Sequence, residues 1–198
     1  MIENKKKEFL IYQAVATSII AAFQHAGVYK KELEVADTRK TALRKDLERA
    51  LRSVATRYTN PISEEEHCHN IEDIANALTQ KYKPTGILRL DRFRIGIAQK
   101  ALNLYLKNLW CLGEITTPPH CPLDRLIIDK LGLKWNERSQ YDWTKLDDIE
   151  KYMQLISRCD HKARERGCKN IAEWELEVYK ESNSAYSLAA DGEDCIQE

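Results

Sequence analysis

Glycine and proline are scarce in this chain, seven and five in 198 residues, and the long runs between them return apolar residues every three or four positions. From Phe9 the apolar positions Tyr12, Val15, Ala16, Ile19, Ile20 and Phe23 describe the buried face of one helix. Leu43, Leu47, Leu51 and Val54 describe a second, capped by Asp37 or Thr38 and running to about Tyr58, with Asn60-Pro61 as the break. Ser63 and Glu66 have capping-box spacing ahead of Ile71, Ile74, Ala75 and Leu78, and Pro84 and Gly86 stop that third helix. Gly132 follows Leu131 as a C-terminal cap. A long helix is expected to start within Thr144–Asp147 and end near Gly167. Asn170 should cap a last one from Ile171 to about Lys180. No period-two run is long enough for a strand, so the predicted class is all-α.

Length and hydropathy fit one compact domain over residues 1–181, since 43% of the chain is hydrophobic, enough for a core. Residues 182–198 are small, polar and acidic and are expected to fray. Net charge is +0, which by itself points to no polyanion. The distribution is uneven, however. Seven cations (Lys81, Lys83, Arg89, Arg92, Arg94, Lys100, Lys107) face one acid, Asp91, across the middle of the chain, whereas the tail from Glu181 has five acids and no cation. The six cysteines have no close-spaced framework, and the first residues lead into an amphipathic helix rather than a leader. Free thiols, a cytoplasmic setting and no membrane span are the expectations. His67-Cys68-His69, His120-Cys121 and Cys159-Asp160-His161 lack a paired C-x-x-C, and neighbours in sequence rarely face one ion, so no metal and no other cofactor is expected.

The chemistry concentrates between Arg92 and Leu131. A turn with Gly96 opens onto a helix whose first amides could face a phosphate, and Arg92, Arg94 and Lys107 would add attraction to a strand. Lys100 follows in the first turns, where the positive helix end and neighbouring cations would favour its free amine, a nucleophile toward a sugar C1′ or a carbonyl. Asp124 comes 24 residues later, after Pro118, Pro119 and Pro122 have reversed the chain. At a helix start its carboxylate stays ionised and could stabilise positive charge on a sugar ring. Taken singly, a helical lysine is ordinarily solvated and an aspartate near a proline is ordinarily an N-terminal helix charge. Their order, and the glycine turn before the lysine, give the pair weight.

The stretch G-I-A-Q-K-A-L-N-L-Y-L-K-N, followed by C-P-L-D-R-L-I, resembles the signature of helix-hairpin-helix DNA glycosylases. The nearest in character are the compact prokaryotic 8-oxoguanine DNA glycosylases with abasic-site lyase activity. The likeness covers residues 92–132 well and 145–181 loosely, where A-E-W-E-L-E-V-Y-K is similar to the final helix of the compact members. It implies a two-lobed helical fold with a cleft between the lobes. Lys100 would be the Schiff-base nucleophile and Asp124 its acidic partner, with Gly96, Ile97 and Ala98 as the phosphate-holding hairpin. The target would be double-stranded DNA with one nucleotide extruded, met by a monomer. Tyr105, Trp110, Trp174 and Tyr179 are candidates to stack on the base, although aromatics at helical spacing are more often core. His120 and Cys121 are candidates for the pocket mouth because they flank the segment carrying Asp124. Ala98 stands where the family has a second glycine, Glu114–His120 lengthens the connection, and no iron–sulfur cysteine spacing follows.

Three functions fit this sequence. The first is excision of an oxidised purine with strand cleavage, as in DNA repair. The second is antiviral excision of a hypermodified base, such as a modified cytosine, from phage DNA. The third is a non-catalytic helical module that keeps the hairpin for DNA binding alone.

Overall fold

The computed structural model describes residues 2–30, 37–134, 137 and 141–192. Helices α1 (Ile2–Phe23), α2 (Asp37–Ala55), α3 (Glu64–Tyr82), α4 (Ile95–Cys111), α5 (Arg125–Lys130), α6 (Ile149–Glu165) and α7 (Ile171–Gly192) follow in order. Short helical turns lie at Thr56–Thr59, Lys83–Thr85 and Arg89–Asp91. The fold is all-α. Among the described residues the only β-type pairing is an isolated antiparallel bridge between Tyr29 and Leu88.

Local sequence accounts for most helix ends. The Ser63 side chain accepts from the Glu66 amide and caps α3. Asp124 does the same for α5 through the Ile127 amide, and Asn170 accepts from the Glu173 amide at the start of α7. Gly132 adopts a left-handed φ of 66° after α5. Two ends differ from expectation. The long helix starts at Ile149, capped by Asp148, because Asp147 is engaged elsewhere, with Arg92 and the Ile95 amide. The last helix continues past Lys180 to Gly192, since Ala185, Leu188, Ala189 and Ala190 are good helix formers. The helix thus runs into the segment expected to fray, and residues 193–198 lie outside the described residues.

Helix α4 is the centre of the packing. It lies against α1, α2 and α3 and buries Ile95, Ile97, Ala98, Ala101, Leu102, Tyr105, Leu106 and Leu109. A helix apolar around most of its girth can only be internal. Its buried set also includes two polar residues, Gln99 and Asn103. The segment Trp143–Asp147 crosses the start of α4 in close contact. A Cβ on Gly96 would overlap the Trp143 carbonyl oxygen, so glycine is required there for backbone approach.

Candidate active site

Helix α4 sets Lys100 one and a half turns from its start, and the α5 cap sets Asp124 opposite. Lys100 Nζ lies 3.9 Å from Asp124 Oδ2 and 4.1 Å from the centre of the Trp143 ring. The lysine side chain is 12% exposed and the aspartate 33%. Asp124 is held at both ends, since its Oδ1 accepts from the Ile127 amide at 3.2 Å while Oδ2 faces the amine. Burial pushes the Lys100 ammonium below its ordinary pKa, and the charge of Asp124 partly opposes this. The cause differs from the one expected from sequence, where the helix end and neighbouring cations were to do this. Desolvation is the larger influence, and the charge that acts on Lys100 is an anion.

The residues expected to hold the DNA backbone are placed differently. Gly96, Ile97, Ala98 and Arg94 are buried. The Ile95 amide donates to Asp147 Oδ1 at 3.0 Å, and the Gly96 amide to the Leu146 carbonyl at 2.8 Å. Those of Ile97 and Ala98 both donate to the Arg94 carbonyl at 3.1 Å. The expected hairpin amides are thus all occupied, by the Trp143–Asp147 segment and by the helix itself. Arg94 donates to the carbonyls of Thr144 at 2.8 Å and Ala26 at 2.6 Å, tying three segments together. Arg92 bonds Asp147 at 3.0 Å and Asn76 at 2.7 Å. Lys107 sits 2.7 Å from the buried Glu175 carboxylate with the Tyr179 ring centre at 4.5 Å. Of the six, only Arg92 keeps substantial exposure, and it too is paired.

The expected base-stacking set also divides. Tyr105 and Trp174 are core residues, 3% and 1% exposed. Trp110 is partly buried, and Tyr179 is exposed beside Lys107. His120 and Cys121 are fully interior rather than at a mouth. His120 Nδ1 pairs with the Tyr152 hydroxyl at 2.9 Å, and its ring meets that of His67 at 4.5 Å. His67 in turn bonds the Tyr58 hydroxyl at 2.7 Å. Burial pushes both imidazoles down, His67 to about 4. Among the described residues no cluster of three His, Cys, Asp or Glu could hold a metal ion, and no helix is long and apolar enough to cross a membrane.

Four residues near the pair went unread in the sequence. Gln99 and Asn103 reach the chain just before Asp124. Trp143 covers the amine. Glu175 lies close enough that Asp124 raises its pKa, though burial raises it more and Lys107 lowers it. The signal for the first two was present, as polar residues four apart inside an apolar helix are ordinarily there to bond something buried. Trp143 carried no local signal, because only the crossing of its segment over Gly96 brings it to Lys100. No family model, no curated protein and no solved structure matches the chain.

Proposed function

We propose that this protein is a DNA glycosylase, in a two-lobed helix-hairpin-helix-like arrangement, that uses Lys100 as nucleophile and Asp124 as acidic partner. The observation that carries the reading is the 3.9 Å pairing of a largely buried lysine with a partly exposed aspartate from a different element. A buried amine with a depressed pKa is available unprotonated nearer neutral pH than a solvated one. In the reaction, Nζ bonds to C1′ of an extruded nucleotide as the N-glycosidic bond breaks. The bonding pair leaves with the base, which takes up a proton. Asp124 stabilises the positive charge that builds on the sugar. Ring opening then gives an imine between Lys100 and C1′, from which elimination of the 3′ phosphate cleaves the strand. A module that only binds phosphate would need free amides at the α4 turn, and Ile95–Ala98 offer none. That leaves exposed cations such as Lys83 and Arg89 to meet a backbone.

The experiment is incubation with duplexes each bearing one altered base, 8-oxoguanine and hypermodified cytosine among them, in the presence of borohydride. The expected result is a covalent protein–DNA adduct with at least one of them, absent in Lys100→Ala. A Lys100→Ala protein that still forms the adduct would remove the lysine from this role. The absence of any adduct or abasic site across the panel and on an abasic duplex would remove the glycosylase reading.

A further inference from the structure

Lys100 and Asp124 belong to different elements, and a 3.9 Å separation between them has to be enforced by something other than their own weak attraction. Gln99, the residue before Lys100, is fully buried and makes a two-point contact with the backbone of Leu123, the residue before Asp124. Its Nε2 donates to the Leu123 carbonyl at 2.8 Å, and its Oε1 accepts from the Leu123 amide at 3.1 Å. One turn on, Asn103 is likewise buried. Its Nδ2 donates to the Cys121 carbonyl at 3.1 Å and the Tyr152 hydroxyl at 3.0 Å, and lies 3.3 Å from Gln99 Oε1. Two buried amides on the lysine's own helix therefore grip residues 121 and 123.

We propose that Gln99 and Asn103 are positioning residues that hold the Asp124 carboxylate at ion-pair distance from Lys100. The inference rests on the glycosylase reading and says how its site is built. The segment Cys121–Leu123 is neither helix nor strand, and without these amides its backbone groups would be buried and unpaired, which costs free energy. With them, the path from amine to carboxylate runs through one helix and two bonds to the backbone of a single residue, Leu123. The Ile127 amide then fixes the carboxylate's rotation. Asp124 is the charged group acting on Lys100. From the last helix Glu175 feels the charge of Asp124 and is itself paired with Lys107, and the Trp143 ring covers the amine.

The test uses a duplex with a single abasic site, so that the identity of the excised base does not enter. The amine adds to the C1′ aldehyde, water leaves, and borohydride delivers hydride to the C=N carbon to give a stable secondary amine. Trapping rates are measured against pH for the wild type, Gln99→Met, Asp124→Asn and the double variant, with melting temperatures alongside. Displacing the carboxylate removes the anion that raises the Lys100 pKa, so the acid limb of the profile should move to lower pH. The plateau should fall by roughly tenfold or more, because the cation forming on nitrogen loses its counter-charge. Gln99→Met should do both in the same sense as Asp124→Asn, and should add little on the Asp124→Asn background. An unmoved acid limb, or equal penalties on both backgrounds, would mean that Gln99 serves the fold alone and would overturn the inference while leaving the lysine chemistry intact. A wild type that forms no adduct would remove the lysine reading, and this inference with it. Asn103→Ala read in the same cycle tests the second amide, and replaces Gln99→Met if that variant does not fold.

Discussion

Lys107 and Glu175 show how a charged pair behaves away from solvent. Their side chains are 11% and 7% exposed and 2.7 Å apart, with the Tyr179 ring against the ammonium. Burial raises the carboxyl pKa and Lys107 pulls it back, so removing the lysine leaves an acid in a place that disfavours its charge. Lys107→Met is expected to cost about 3–5 kcal/mol of stability, read from the urea midpoint. The double change Lys107→Met/Glu175→Gln should recover most of it, since no uncompensated charge remains. The same logic separates Lys107 from the DNA-contacting role that its place in a basic stretch suggested. A cation count along the chain cannot see a carboxylate 68 residues away that neutralises one of its members. Lys100 is the contrasting case. It meets a carboxylate at 3.9 Å rather than at contact distance, and burial acts on it more strongly than that charge does.

At the level of elements, α4 and the segment crossing it act as one piece. Its start has no polar side chain of its own for a cap, and Asp147 supplies one from 52 residues away, while Leu146 takes the Gly96 amide. Gly96→Ala is expected to push Trp143–Asp147 outward and cost about 1–3 kcal/mol, the usual scale of overpacking. Because Trp143 then leaves its 6%-exposed site above Lys100, tryptophan emission should shift to the red as the melting temperature falls. An alanine variant with unchanged emission and stability would show that the crossing is loose. The glycine was visible in the sequence, but its purpose was not. A turn before a helix reads as an open phosphate cradle until the segment that fills it is known.

Across the whole molecule, the buried polar cluster makes stability depend on pH. His67 is held near a pKa of about 4, against its ordinary 6.5, chiefly by burial, and His120 is shifted the same way. The unfolded chain therefore binds protons between pH 6.5 and about 4 that the folded chain refuses, so stability is full above 6.5 and falls as pH drops through that window. From His67 alone the loss approaches about 3 kcal/mol. Urea titrations at pH 7 and pH 4.5 measure it, and His67→Gln, which cannot take a proton, should flatten the difference. A variant as acid-sensitive as the wild type would place the dependence elsewhere.

The all-α class, most helix ends and the caps at Ser63 and Asn170 followed from the sequence, because they depend on periodicity and on bonds that close within four residues. The order Gly96, Lys100, Asp124 was equally legible as a pattern. Which partners those residues meet was decided by contacts between distant segments, Lys100 with Asp124 and the Gly96 amide with the Leu146 carbonyl. Only the packed chain shows that Trp143 covers the amine, that Asp147 occupies the helix start and that two buried amides bond the backbone just before the acid. Burial and long-range pairing are properties of the assembled core, and no local pattern encodes them.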